Sequence, residues 1–362
     1  MELYLLNDSF QYSAGPIDDY ISFTWVDRLQ EAGECSLSLS PDLVKDALAA
    51  AYIYNSDRGV MEITGVSYSA VGQRSLTVTG AGLIGMLDRR VITETSRINP
   101  SAAQVGSIIQ SHVSNEISGS RALPLTVTYD VSAATESVVE PFNKWENLYD
   151  FVQRVISKTN YGIKMTLVRN SSGNPSSLRL TVYAGKNRTQ SQSTNSRAIF
   201  SQSFGNIRGI EIRKNSIDYK NLCYAYSGED LRDTYDATGG NPRREIAISV
   251  DEESYSNAIQ TKCREAMAEY ANVDAFIAEA DQGDLVYKTD YDLGDLCDIS
   301  DDTTGITKQA RITAVTTIYE GGAVKVTPTF GESTLNLRQF IKRASGATYN
   351  ITINEAPAPA EE

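Results

Sequence analysis

Residues 62–66 read Glu-Ile-Thr-Gly-Val, and residues 75–82, after a short turn, read Ser-Leu-Thr-Val-Thr-Gly-Ala-Gly. A similar order returns near the other end of the chain. There, residues 311–315 read Arg-Ile-Thr-Ala-Val and residues 325–332 read Lys-Val-Thr-Pro-Thr-Phe-Gly-Glu. Each half joins two short alternating segments through a glycine-containing turn, which is the pattern of a β-hairpin. Building one β-module twice is typical of a scaffold rather than of a single reactive pocket.

Apolar and polar residues also alternate through most of the chain outside these hairpins. Ile21, Phe23 and Trp25 are predicted to face one side of a strand, while Ser22 and Thr24 face the other. A period of two is typical of half-buried antiparallel strands. The same period recurs at residues 35–39, 76–78, 125–129, 163–167, 178–182, 210–212, 246–250 and 324–326.

Three segments have the helical period instead. The first spans residues 101–117, and the third spans about residues 254–272. The second is predicted to begin at Asn143, with Glu146 at the third helical position as in a capping box. Its predicted inner face carries Trp145, Leu148, Val152, Val155 and Ile156.

These patterns predict a β-rich, multidomain α+β protein. A first β-module is expected over residues 1–97 and a mixed α/β insertion over residues 98–200. A second β-module with the inserted helix is expected over residues 201–333, and a short extension with a disordered tail over residues 334–362. The polar link over residues 186–197 is rich in Ser, Thr, Gln and Asn and is predicted to be mobile.

Composition narrows the classes of function. The chain has 362 residues and a formal net charge of −13, which argues against a nucleic-acid grip because phosphate binding needs clustered Lys and Arg. The N-terminus does not read as a signal peptide, and no window approaches the roughly 18 apolar residues of a membrane span. The four cysteines lie far apart, as expected of free thiols in a reducing cytoplasm: Cys35, Cys223, Cys263 and Cys297.

Gly80, Gly82 and Gly85 form a G-x-G-x-x-G motif directly after a strand. In a dinucleotide-binding fold, such glycines bring backbone N–H groups to a pyrophosphate. Here the preceding strand alternates with threonine, the following helix is short, and no acidic residue ends a second apolar strand. We therefore interpret the three glycines as turn residues of a β-module.

Six aspartates crowd the segment over residues 290–302: Asp290, Asp292, Asp295, Asp298, Asp301 and Asp302. A calcium loop needs glycine at its sixth position, but here Gly294 falls at the fifth. A solvated strand edge is the preferred interpretation, and no metal site is predicted.

Other candidates for chemistry are also weak. His112, the one histidine of the sequence, lies on a mainly apolar helix and is predicted to be packed. No serine lies in a G-x-S-x-G motif and no zinc-protease motif is present. Trp25 and Trp145 are each in phase with apolar neighbours and are predicted to lie in the core. We expect no catalytic residue, no cofactor and no metal.

The C-terminal half carries motifs that resemble a known family. Residues 291–299 read Tyr-Asp-Leu-Gly-Asp-Leu-Cys-Asp-Ile, followed by Arg-Ile-Thr-Ala-Val at 311–315 and Pro-Thr-Phe-Gly at 328–331. This order resembles the C-terminal signature of phage and prophage tail proteins. The N-terminal half also matches, through a Trp-bearing strand at 23–25 and a step that reads Glu-Ala-Gly-Glu-Cys-Ser-Leu at 31–37. The resemblance covers about residues 3–332.

The resemblance implies a baseplate or tail-tip hub protein, similar to the hub of contractile tails and to the hub region of tail-associated lysins. It implies two antiparallel β-barrels of the tail-tube type in each protomer and assembly as a homotrimer. Six barrels would then match the sixfold tail tube or distal tail protein above, with a threefold spike, fibre or lysin below. DNA would pass without specific binding, and the protein would reside in the virion tail.

Two other functions remain open at the level of sequence. One is an enzyme, either a tail-associated cell-wall hydrolase or an oxidoreductase that uses the Gly80 loop. The other is a carbohydrate-binding adhesin made of β-modules. Since no lytic domain follows the hub region, lytic activity is not expected, and residues 333–362 are expected to dock a spike, fibre or lysin instead.

Overall fold

The structure is a computed structural model. It describes residues 1–72, 74–96, 101–215, 219–239, 242–250, 256–268, 270, 273–280, 285–302 and 305–331. The strands are β1 (Leu3–Leu6), β2 (Tyr12–Ala14), β3 (Tyr20–Arg28), β4 (Glu34–Leu39), β5 (Tyr52–Asn55), β6 (Gly59–Ser69), β7 (Ser75–Gly82), β8 (Ala103–Gln104), β9 (Val127–Asp130), β10 (Ser137–Val138), β11 (Tyr161–Arg169), β12 (Pro175–Ala184), β13 (Ile199–Ser201), β14 (Ile207–Asn215), β15 (Leu222–Ser227), β16 (Asp230–Asp236), β17 (Glu245–Ser249), β18 (Val273–Ala280), β19 (Leu296–Asp301), β20 (Ile306–Glu320) and β21 (Ala323–Gly331).

The α-helices are α1 (Val44–Ala49), α2 (Val105–Glu116), α3 (Leu148–Ser157) and α4 (Ser256–Ala268). Short 3-10 helices cover Pro41–Leu43, Leu83–Arg89 and Gly119–Arg121. Among the helices of the described residues, none is long and apolar enough to cross a membrane.

The chain forms two compact units. The larger unit lies within residues 1–213 and 274–331, and the described part of the smaller unit lies within residues 214–273. The predicted division at residues 97, 200 and 333 stays a prediction, and the extension over 334–362 lies outside the described residues. The described strands form four sheets, none of them closed into a barrel. The β-rich class is therefore confirmed, whereas the two barrels are not.

The main sheet belongs to the larger unit and joins the two ends of the chain. Its order is β14-β18-β21-β20-β3-β4-β7-β6-β5-β1-β2, with β19 also paired to β20 and β13 to β19. Both predicted hairpins form, as β6–β7 and β20–β21. They share one sheet because β3 pairs with β4 on one side and with β20 on the other. Phe23 lies opposite Tyr319, and their rings stack at 5.7 Å.

Strand β3 shows how the alternation of apolar and polar residues places apolar side chains in the core. Phe23 and Trp25 are buried as predicted, and they share a core with Leu37 of β4. Ile21 does not join them, since 65% of its surface is exposed. The register of β3 against β4 shifts between Tyr20 and Ser22, and this irregularity turns Ile21 out of phase.

The middle of the chain packs two helices on a small sheet. Strands β11, β12 and β9 pair in that order, and α2 and α3 share their hydrophobic core, as Ile109, Phe151 and Leu180 illustrate. Helix α3 begins later than predicted. Asn147, not Asn143, is its N-cap, and its Oδ1 accepts from the N–H groups of the second and third residues of the helix, at 2.9 and 3.1 Å.

The smaller unit is a three-stranded sheet with one helix. Strands β16, β15 and β17 pair in that order, and α4 packs against them. Cys223 from the sheet and Ile259, Cys263 and Met267 from the helix form its core. The apolar spacing on α4 is the one that predicted this helix over residues 254–272.

Candidate functional site

A cleft of about 480 Å³ opens in the larger unit. Its lining comes from both ends of the chain and from the middle, within residues 25–33, 58–61, 82–84, 163–166, 183–188 and 287–295. Each of these segments belongs to a strand or to the turn beside one. Sequence reasoning missed this site because no local pattern shows which strands meet, and we find no motif that would have revealed it.

Asp27 organises one wall of the cleft. The Trp25 indole N–H donates to Asp27 Oδ1 at 2.8 Å, and the Tyr287 hydroxyl donates to Oδ2 at 3.1 Å. Burial, together with the negative charges of Asp27 and Asp292, raises the pKa of Tyr287 well above its usual value. Tyr287 therefore keeps its proton, and both carboxylate oxygens of Asp27 have a donor.

Six cationic side chains line the same cleft, and three of them, Arg58, Lys164 and Lys288, lie beside aromatic rings. The Arg58 guanidinium lies 4.5 Å from the centre of the Tyr287 ring, and its Nη2 donates to Thr317 Oγ1 at 3.1 Å. Lys288 Nζ lies 5.6 Å from the centre of the same ring, and Lys164 Nζ lies 4.9 Å from that of Tyr183. Within the described part of the chain, none of the three cations forms an ion pair, and the buried Arg58 Nε has no hydrogen-bond partner.

Lys288 is held in an unusual conformation at this cleft. Its φ is 69°, in the left-handed region that disfavours residues other than glycine. The turn is fixed by hydrogen bonds from Lys288 N to Tyr291 O at 2.7 Å and from Asp290 N to Val286 O at 2.8 Å. Part of the side chain is exposed, yet burial of the ammonium lowers the pKa of Lys288. Asp27 and Asp292 oppose this shift, and Arg58 and Lys164 add to it.

Asp295 fixes another wall of the cleft. It forms a buried ion pair with Arg188, and its two oxygens also accept from Lys186 N at 2.6 Å and Asp292 N at 2.9 Å. Three residues further on, in β19, Asp298 Oδ2 accepts from Gln190 N at 2.6 Å. These carboxylates attach the polar link over residues 186–197 to strand β19.

This arrangement corrects two predictions. Asp295, Asp298 and Asp301 are buried, so the prediction of a solvated strand edge is wrong. Backbone donors hold the carboxylates of Asp295 and Asp298, and Arg188 pairs with Asp295, which a single segment of sequence does not show. The link over 186–197 was predicted to be mobile, but its polar groups are bonded to one another and to β19. Within the described residues, no group of three or more acidic, His or Cys side chains is placed to hold a metal ion.

The G-x-G-x-x-G motif is part of the main sheet. Gly80 and Gly82 lie in β7, which is antiparallel to both of its neighbours, and Gly85 lies in the following 3-10 helix. A Cβ at Gly80 would lie 2.8 Å from Glu62 O, so close strand packing explains this glycine. Gly82 N donates to Gly33 O at 2.8 Å. That amide is therefore occupied within the sheet.

His112 and the cysteines are packed, as their patterns predicted. The His112 ring lies 4.5 Å from that of Phe142, and its Nδ1 lies 3.6 Å from a carboxylate oxygen of Glu94. All four cysteines are free and buried. Burial raises the pKa of Cys35 and of Cys297 to about 12. These two thiols therefore stay protonated near neutral pH, which makes them poor nucleophiles.

Trp145 is the clearest exception among the predicted core residues. It precedes α3 with a φ of 73°, and 65% of its surface is exposed. Its backbone is held from both sides, because Trp145 N donates to Ile92 O at 2.7 Å and Ile92 N donates to Glu146 O at 2.8 Å. Lys144 Nζ lies 5.0 Å from its ring centre. The prediction that Trp145 packs in the core is wrong.

The two tryptophans should respond differently to acrylamide quenching. Trp25 is 2% exposed and Trp145 is 65% exposed, so a Trp145→Phe variant should show blue-shifted emission and a severalfold smaller quenching constant than wild type. A Trp25→Phe variant retains only Trp145 and should emit at a wavelength near that of free N-acetyltryptophanamide. Equal quenching of the two single-tryptophan variants would contradict the placement of Trp145.

The chain matches a family of phage proteins over most of its length. Residues 2–332 match the family described as Siphovirus ReqiPepy6 Gp37-like proteins, and the chain belongs to that family. The predicted phage or prophage tail family is thereby confirmed, and the protein is a component of the virion tail. A comparison with curated protein sequences gives no match.

Solved structures of low sequence identity share the fold. A tail protein from Neisseria meningitidis MC58 is 12% identical, with a TM-score of 0.55 over 92% of this chain and 96% of that one. The 43 kDa tail protein of prophage MuSo2 from Shewanella oneidensis is 10% identical, with a TM-score of 0.54 over 91% and 98%. The prophage tail protein gp18 from Listeria monocytogenes EGD-e is 10% identical, with a TM-score of 0.50 over 96% and 99%.

Proposed function

We propose that the protein is a structural hub of the baseplate or tail tip and that it has no catalytic activity. Three copies would assemble around the tail axis, each contributing two β-modules, so that six modules meet the sixfold tube. The observation that carries this proposal is the repeated hairpin. β6–β7 and β20–β21 have the same sequence pattern and lie in one sheet, where β3 and β4 separate them.

A hub of this kind is expected to connect different neighbours at its two ends. The tail tube or distal tail protein lies above it, and a spike, fibre or lysin lies below. Residues 334–362 are proposed to dock the lower component, and deleting residues 335–362 tests this. Tails that then lack one distal component would support it, and tails with every component in place would contradict it.

The conduit of such a hub must let DNA slide through. The net charge of −13 suits this role, because like charge keeps phosphate from condensing on the wall. A lumen lined with Lys and Arg would contradict this part of the proposal.

A density map of assembled tails tests the hub role most directly. The expected result is three copies of this chain in one ring at the distal end of the tube, with their β-modules facing the sixfold ring. A zymogram on peptidoglycan, run beside lysozyme, is expected to stay blank. A lytic zone, or a position away from the tail axis, would overturn the proposal.

A further inference from the structure

We propose that the cleft beside Asp27 is a docking site for an acidic segment of a neighbouring tail protein, with Arg58, Lys164 and Lys288 receiving its carboxylates. This inference rests on the proposed role as a hub, since it assigns a partner contact to that role. It extends that role by naming a site and the chemistry of what occupies it.

The charges of the cleft favour an anionic ligand. The chain carries a net charge of −13, yet six cationic and four anionic side chains line this cleft, which gives it an excess of two positive charges. Asp27 accepts from Trp25 and Tyr287, and the carboxylates of Asp27 and Asp292 offset part of the charge of Lys288. An excess of positive charge in the cleft of an otherwise acidic chain favours an anionic ligand. Lys164 and Lys288 are exposed, so their ammonium groups are available to a ligand.

The size and walls of the cleft favour a peptide over DNA. A volume of about 480 Å³ accommodates a few side chains, whereas a nucleic-acid strand needs a continuous basic track. Tyr183 and Tyr287 add aromatic surface beside the cations. This surface suits a peptide segment in which apolar side chains flank the acidic ones.

The backbone conformation of Lys288 also favours a role for this side chain in ligand binding. A left-handed φ at a lysine is unfavourable, and such strain is concentrated where the surrounding structure holds a side chain for function. Glycine at this position would relieve the strain but would remove the ammonium. Stability and ligand binding are therefore expected to change in opposite directions in Lys288→Gly, which a purely structural role would not produce.

The test is calorimetric titration of the full chain with an acetylated peptide of sequence Glu-Glu-Ala-Glu-Glu-Ala, beside a Gln-Gln-Ala-Gln-Gln-Ala control. The acidic peptide should bind at low salt and weaken as salt rises, while the glutamine peptide should not bind. Lys164→Gln combined with Lys288→Gly should weaken binding about tenfold or more, as expected for two charge contacts. Lys45→Gln removes an exposed lysine outside the cleft and should leave binding unchanged.

Three results would overturn the inference. They are equal binding of both peptides, unchanged binding in the Lys164 and Lys288 double variant, or tighter binding of a ten-nucleotide thymidine strand than of the acidic peptide. Failure here is distinguishable from failure of the hub role. A hub ring in the tail density with no peptide binding removes only the docking site, whereas peptide binding without a hub ring removes only the proposed function.

Discussion

Asp295→Asn is expected to destabilise the larger unit by about 3–5 kcal/mol, the usual cost of removing one partner from a buried ion pair. Asp295 and Arg188 are 3% and 7% exposed, so water cannot replace the lost carboxylate. We expect the midpoint of urea unfolding to fall at an unchanged slope. The measurement is Trp25 fluorescence in a Trp145→Phe background, because Trp25 lies in the main sheet of this unit.

The size of this effect follows from the hydrogen bonds that the Asp295 carboxylate accepts. Its oxygens accept from the Lys186 amide, the Arg188 guanidinium and the Asp292 amide. Asparagine keeps one acceptor oxygen but places an NH₂ group against donors, and it leaves the Arg188 charge buried without compensation. The link over residues 186–197 would lose its attachment to β19 at the same step.

An exposed ion pair in the same unit provides the control. Arg28 Nη2 lies 2.7 Å from Glu34 Oε1, and the Glu34 side chain is 59% exposed. Glu34→Gln should therefore cost less than about 1 kcal/mol. Replacing both buried partners, as Arg188→Met with Asp295→Leu, should recover much of the lost stability. If Asp295→Asn unfolds at the wild-type urea concentration, the buried pair does not have the role we assign to it.

The alternation of side chains was enough to predict most strands, but not the sheet they form. Phe23 and Leu37 are buried on the predicted faces because a period of two maps directly onto the two sides of a sheet. The pairing of β3 with β20 joins residues almost 300 positions apart in the sequence, and no local pattern encodes it. The cleft depends on such long-range pairings, which explains why no local sequence pattern predicted it.

The local sequence pattern also predicted the wrong start for α3. The capping box predicted at Asn143 is partly present, because Asn143 N donates to Glu146 Oε2 at 3.2 Å. Trp145 nevertheless adopts a φ of 73°, which no α-helix allows, and Asn147 caps the helix instead. The apolar spacing of Trp145, Leu148 and Val152 suggested one helical face. Tertiary hydrogen bonds to Ile92 decide the backbone there.

A second buried charge cluster surrounds Glu116, and a substitution there is expected to have a large effect on stability. Its carboxylate is 1% exposed and accepts from Thr93 N at 2.6 Å, from the Thr93 hydroxyl at 2.9 Å and from Arg121. Burial acts to raise the pKa of Glu116, but these hydrogen bonds and the Arg121 charge outweigh it and hold the pKa below its usual value. The bonds tie the end of α2 to the segment at Thr93.

Glu116→Gln should therefore destabilise the protein by about 2–3 kcal/mol at pH 7, since hydrogen bonds to a charged group are lost. A carboxyl whose folded pKa is depressed stabilises the fold above its unfolded pKa, and this contribution is lost as pH falls through the folded value. The difference between wild type and Glu116→Gln should thus be largest at neutral pH and should shrink below about pH 4.5, the model-compound value. Urea unfolding from pH 7 to pH 3 measures it, with the exposed Asp42→Asn as a control that should differ little from wild type at either pH. A difference that stays constant down to pH 3 would contradict the assignment of this stability to the Glu116 charge.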